Sequence, residues 1–198
     1  MAGRPRTISD TVVLDAAERA LAQHGPAALT LAHVSADSGL APATLIQRFG
    51  TKRGLLLALA ERAPRLVRSQ FDASRTKHPE SPLTALFDAL SGIVPVVETP
   101  AQLANVLAFS HLELDDEAFQ AVAVERSTVL HTEVSALLRQ ATAAGELLRH
   151  DSARLAHAVY TTYTGSLLTW CVDGAGELST WMRRDLDTLL TPYRPFGS

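Results

Sequence analysis

Cysteine is almost absent from this chain. Cys171 stands alone, so no disulfide can close within it, and a reducing cytoplasm is the compartment it suits. Long hydrophobic runs are missing as well. No stretch approaches the roughly 20 apolar residues of a membrane span, and none follows the N-terminus as a secretion signal would, so no membrane role is expected. Glycine and proline number 11 and 10 in 198 residues, with neither a glycine-rich phosphate loop nor a Gly-x-Ser-x-Gly elbow among them. His111 with Glu113, and His131 with Glu133, are i, i+2 pairs whose side chains a helix would point apart, and no HExxH or cysteine cluster accompanies them. These absences leave no catalytic residue, metal or cofactor to expect, and argue against an enzyme. Nor is there a surplus of positive charge: the formal net charge is −3.

What is present is an ordinary globular composition, 46% hydrophobic and 20% charged, in a chain long enough to bury a sizeable core. Alanine and leucine dominate it and favour helices. The charge is unevenly spread. Residues 1–62 hold seven Lys/Arg against five Asp/Glu, and the remainder eleven against sixteen. A modestly basic head on an acidic body suits a module that meets phosphate at one end only.

Residues 30–55, TLAHVSADSGLAPATLIQRFGTKRGL, are the most informative stretch. Thr30 can cap a helix carrying Leu31 and Val34 on one face, and Gly39 stops it at a position that tolerates positive φ. Pro42 restarts the chain at a first-turn position, where its missing N–H costs nothing. Over 42–49, Leu45 and Phe49 share an inward side. Thr44, Gln47 and Arg48 share an arc of about 100°, with a hydroxyl, an amide and a guanidinium suited to base edges and phosphates. Thr51 caps the next helix, with Lys52 and Arg53 in its first turn, where an anion would offset their clash with the helix dipole. The pattern is a helix-turn-helix with 42–49 as its recognition helix. Upstream, Val13, Ala16, Ala17, Ala20 and Leu21 form the buried stripe of a supporting helix that Ser9 caps and Gly25-Pro26 ends. Arg4 and Arg6 lie in an arm that either follows a DNA groove or is a solvated terminus.

This stretch resembles the DNA-binding signature of the TetR (tetracycline-repressor-like) transcriptional regulators. Val34, Gly39, Leu40, Thr44, Leu45, Phe49, Lys52 and Leu55 carry the match, with Leu14, Ala16, Ala17, Leu21 and Gly25 matching the family's first helix. Four positions depart from it. Ile46 replaces a usual tyrosine, Ala41 a frequent Ser or Thr, Ala32 a basic residue and Arg53 an acidic one, which changes the contact chemistry. The candidate DNA-facing positions are Arg4, Arg6, Thr30, Ala41, Pro42, Ala43, Thr44, Gln47, Arg48, Thr51 and Lys52. Thr51, Lys52 and the backbone N–H groups near Pro42 and Ala43 are the expected phosphate grip.

The resemblance implies an all-α fold of about nine helices. Residues 1–54 would form the three-helix DNA-binding domain with its arm, and residues 55–198 a helical effector-binding and dimerisation domain. Pro64 should kink or break the long fourth helix, which continues toward Arg75. Later helices are expected over about 83–98 (disturbed at Pro95), from Pro100 to about Leu112, from an opening at Asp115-Asp116-Glu117 through about Ala143, from Asp151, and over 178–190. Phe87, Phe109, His111, Tyr160, Tyr163 and Trp170 are candidates to line a ligand pocket, each with ordinary core packing as the competing role. By resemblance the last two helices, 151–172 and 178–190, pair with a second subunit's. The expected function is a homodimeric, ligand-responsive regulator, most simply a repressor, that binds a palindromic operator and is released by a small apolar or aromatic effector. The alternative is a helical small-molecule-binding or protein-partner scaffold that no longer binds DNA.

Overall fold

A helix of 19 residues and two of eight come first, their lengths set by caps and glycines. In the computed structural model, which describes residues 8–94 and 97–195, α1 (Asp10–Ala28) starts at Ser9, whose side chain accepts from the Val12 N–H. At Gly25 the backbone turns to φ 70°, ψ 166°, which breaks α1 where the Gly-Pro pair predicts. In α2 (Leu31–Ser38) a reciprocal cap forms: Thr30 accepts from the His33 N–H while the His33 ring accepts from the Thr30 N–H. Gly39 closes it in the left-handed conformation, and α3 (Pro42–Phe49) follows after Ala41, which provides no side-chain cap. Arg4 and Arg6 lie outside the described residues.

α4 (Lys52–Lys77) is 26 residues long, capped by Thr51 on the Gly54 N–H. It runs on through Pro64 instead of breaking there. Pro64 is buried, between leucines of one apolar core and Val67 and Phe71 of another, so packing holds the helix across the lost hydrogen bond. The body then adds α5 (Pro82–Gly92), α6 (Pro100–Leu107), α7 (Ser110–Asp115), α8 (Glu117–Ala143), α9 (Ser152–Asp173) and α10 (Leu178–Leu190), with a 3₁₀ turn at Thr191–Tyr193. All described elements are helical. The helix expected from Pro100 to Leu112 is divided into α6 and α7, and α5 stops at Gly92, short of the expected boundary. Pro95 lies outside the described residues. No helix among the described residues is long and apolar enough to cross a membrane.

Two apolar clusters organise these elements. The first joins Val13, Ala16, Ala17, Leu21, Val34 and Leu45 of the head to Leu55, Leu56 and Leu59 of α4, and takes in Phe109 and Phe119 from the body. The second is the body core, built from the far half of α4 with α5, α8, α9 and α10 around Phe71, Leu86, Leu138, Val159, Met182 and Leu186. α4 therefore belongs to both.

Gly54 sets the angle at which α4 leaves α3. A Cβ built there would collide with the Phe49 carbonyl oxygen, a backbone atom with no room to yield. Helix propensity alone favours alanine over glycine by roughly 0.5–1 kcal/mol. The close approach reverses that sign, so Gly54→Ala should destabilise the protein by about 1–3 kcal/mol. Denaturant melts followed by tryptophan fluorescence and circular dichroism check this; a stabilised variant would show that the contact can relax.

Candidate nucleic-acid interface

α3 presents one face inward and one outward. Leu45 is fully buried in the head core and Phe49 packs partly against it. Pro42, Ala43, Ile46 and Gln47 are all exposed, and at 100° per residue they occupy one arc of about 140°. Thr44 and Arg48 are half-buried on its flank. The outer face is thus turned by about a third of a turn from the Thr44–Gln47–Arg48 arc read from spacing. Gln47 lies in both arcs; Ile46, 52% exposed, is the large apolar side chain at the centre of the observed one. The periodicity allowed both arcs, and only the direction of the head core decides between them.

The basic side chains described in the head are bonded to other parts of the protein. Arg48 Nη1 donates to the Ile8 carbonyl oxygen at 2.7 Å and pairs with Asp10 at 3.2 Å, tying α3 to the entry of α1. Arg19 pairs with Asp37 at 2.8 Å, fastening α1 to α2. Arg62 bridges Asp15 at 2.6 Å and also Glu18. Lys52 donates to the Ala27 carbonyl oxygen at 2.8 Å. Arg53 makes a bidentate pair with Asp116, at 2.7 and 2.6 Å, which joins the first turn of α4 to the cap of α8. The Arg53 hydrogen bonds hold the Asp116 carboxyl below its ordinary range, and the same carboxylate caps α8 through the Ala118 N–H. That pairing is stabilising above the ordinary carboxylate pKa and is lost as pH falls through the depressed one. Arg53 and Asp116 are 63 residues apart, a separation no local pattern reveals.

Thr30 and Thr51 are both exposed and both committed as caps. Ala41, Pro42 and Ala43 leave the α3 N-terminus open to solvent, without a side chain over its first-turn N–H groups. An anion is the natural occupant of such an end when a duplex lies against it.

The six pocket candidates do not surround one cavity. Phe109 stacks edge-on against Phe119 (ring centroids 5.6 Å apart) in the cluster shared with the head. His111 is exposed on α7. Phe87 is core, under the Arg183 guanidinium at 5.0 Å. Trp170, its indole N–H bonded to the Gly176 carbonyl oxygen, lines an open cleft of about 420 Å³ with Ser91, Val94, Glu98, Glu177 and Leu178. Tyr160 and Tyr163 lie one turn apart on α9, both close enough to Arg126 of α8 to feel its charge. Burial opposes the Arg126 charge, but its two bonds to the buried Glu113 carboxylate, at 2.6 and 3.0 Å, more than offset this and keep it cationic. Burial also pushes the Tyr163 hydroxyl well above its usual pKa. The sequence weighs Glu113 only beside His111 and does not single out Arg126; the two stand 13 residues apart on different helices, and no local pattern pairs them. A second cleft, of about 300 Å³, lies between head and body among Pro26, Lys52, Arg53, Leu56, Leu112 and Phe119.

The bonds of Arg48 make a testable distinction. Arg48→Ala should lower the stability of the protein by about 1 kcal/mol, since a partly exposed charged hydrogen bond is lost. Any effect on DNA should follow from loosening of the head, leaving the order of preference among sequences unchanged. Thermal melts and competition binding with single-base operator variants separate the two effects; altered preference at one base pair with unchanged melting would make Arg48 a base reader.

The comparisons agree with this geometry. Residues 13–59, which span α1 to the first turns of α4, match the model of the bacterial regulatory proteins of the tetR family. No curated protein matches the chain in sequence. Among solved structures, a TetR transcription regulator from Haloarcula marismortui superposes with a TM-score of 0.74 at 18% identity, covering 94% of this chain and 98% of that one. The TetR-family regulator PfmR from Thermus thermophilus gives 0.60 at 20% identity over 90% and 97%. The regulator FadR from Bacillus subtilis, in complex with stearoyl-CoA, gives 0.62 at 17% identity over 92% and 98%. At such identities the likeness is one of fold. This chain carries the helix-turn-helix head of the bacterial tetR-family regulators, on a helical body folded as theirs are.

Proposed function

We propose that the protein is a ligand-responsive transcriptional regulator, most simply a repressor, that binds a palindromic operator as a homodimer and is released by a small apolar or aromatic effector. The observation that carries this reading is the outer face of α3: four exposed residues beside an uncovered helix N-terminus, held outward by Leu45 in the head core. Residues 1–54 act as the DNA-reading domain and residues 55–198 as the effector and dimer domain. The Lys52 ammonium has donors left beyond the one given to Ala27 and, with Thr51 and the α3 N-terminal amides, holds phosphate. Arg4 and Arg6 add charge from the arm.

Dimerisation falls to α9 and α10. Along α9, His157, Thr161, Gly165, Leu168 and Val172 repeat at helical spacing, and Leu168 and Val172 are 54% and 85% exposed. A stripe with a glycine at its centre and Leu168 and Val172 beyond it suits close helix approach by a second copy. Effector binding in the body, beside Tyr160 and Tyr163 or at the Trp170 cleft, shifts α4 through the cores it shares and misplaces the two heads. That a similarly folded regulator is known with stearoyl-CoA supports an effector with a long apolar part.

Selection from a random duplex library with the purified, refolded protein should recover a palindrome. Failure of the ligand-free protein to enrich any sequence would overturn the reading in favour of a helical scaffold without DNA binding. On the recovered operator, Lys52→Ala should weaken binding to all sequences alike and flatten the salt dependence by about 0.9 in log Kd against log salt per subunit. An unchanged slope would remove Lys52 from the phosphate contacts.

A further inference from the structure

We infer that α3 reads A·T base pairs, with Ile46 packed on a thymine methyl group and Gln47 bonded to an adenine edge. The inference rests on the proposed DNA-binding role and specifies its chemistry.

The outer face of α3 contains two kinds of group only. Pro42, Ala43 and Ile46 are apolar; Gln47 carries an amide with no hydrogen-bond partner among the described residues. Ile46 has nothing to donate or accept. On the floor of a major groove, the feature that rewards an isoleucine is the C5-methyl of thymine, the one apolar group that the four bases display there. Every other base edge at that position would lose its water to a side chain that cannot replace it. Ala43 lies one turn before Gln47 and beside Ile46, at i−4 and i−3, so the apolar surface is continuous.

Gln47 supplies both an acceptor and donors, the pair that adenine N6 and N7 require. Ile46 and Gln47 are adjacent, and residues 43–47 advance about 6 Å along the helix, close to two base-pair steps. The side chain best fitted to guanine O6 and N7 is a guanidinium. On α3 that group is withdrawn: Arg48 is bonded to Ile8 and Asp10. In the adjoining turn Arg53 is bonded to Asp116. The face is left with methyl and amide chemistry.

The test uses the intact protein and the operator recovered from library selection. Each thymine is replaced in turn by deoxyuridine, which removes the methyl and leaves base pairing intact. We expect one position per half-site at which this weakens binding by roughly fourfold, the worth of one buried methyl-sized group. In Ile46→Ala that sensitivity should vanish. Ile46 is exposed, so the variant should fold and melt as the parent does. A 7-deazaadenine at the adjacent pair should weaken the parent protein and leave Gln47→Ala unaffected. Insensitivity to every deoxyuridine, a uridine penalty that persists in Ile46→Ala, or a half-site centred on G·C pairs would each overturn the inference while leaving the DNA-binding reading intact. Absence of any bound duplex would overturn both.

Discussion

α4 is the constraint on which the rest depends. Its first half is buried among head residues and its second half among body residues, with no break at Pro64. Neither core is complete without it. A helix of 26 residues extends about 39 Å, so a small change of angle at the body end becomes a displacement of ångströms at α3. Gly54 allows the tight turn from α3 into α4, and Arg53 with Asp116 fixes its first turn against α8. The head is therefore coupled to the body by packing and by charge at the same place.

That coupling explains an otherwise puzzling use of charge. A module that meets phosphate is expected to present its cations, yet Arg19, Arg48, Lys52, Arg53 and Arg62 all bond to other parts of the protein. The head is small, and its apolar cluster borrows Phe109 and Phe119 from the body. Ion pairs across α1, α2, α3 and α8 give such a head a defined geometry, although exposed pairs contribute little stability each. Orientation of α3 is gained, and the electrostatic attraction that these side chains offer a phosphate backbone is reduced.

The sequence made the architecture legible where local chemistry decides it. Ser9, Thr30 and Thr51 cap helices as their positions predict, and Gly39 ends α2 in the left-handed conformation. The stripe from Val13 to Leu21 and the burial of Leu45 follow from a period of 3.6 residues. What could not be read is what depends on distant partners. Spacing makes Thr44, Gln47 and Arg48 neighbours, but which flank of α3 meets solvent is set by the head core that buries Leu45, and Arg48 is drawn back to Ile8 and Asp10, about 40 residues earlier. Pro64 reads as a break because its lost hydrogen bond is local, whereas the packing that carries α4 across it comes from two separate cores. The aromatic candidates were chosen by residue type, and residue type cannot distinguish Phe109, in the head-facing cluster, from Tyr163 beside Arg126.

The position of Ile46 shows how a departure from a family pattern acquires meaning only in three dimensions. Read along the chain, it is a tyrosine lost, and with it a hydroxyl. In the fold it stands 52% exposed on the helix whose inner neighbour Leu45 is fully buried. An isoleucine kept in water on a solvent-facing helix exposes apolar area that burial would reward at roughly 25 cal/mol per Å². A polar residue at the same place would avoid that cost, so the side chain is best accounted for by a partner with apolar surface of its own. With the guanidinium of Arg48 turned back to the protein, the chemistry on offer is a branched hydrocarbon beside an amide. A duplex read through such a face is discriminated by methyl contact and amide hydrogen bonds, with charge confined to holding the backbone.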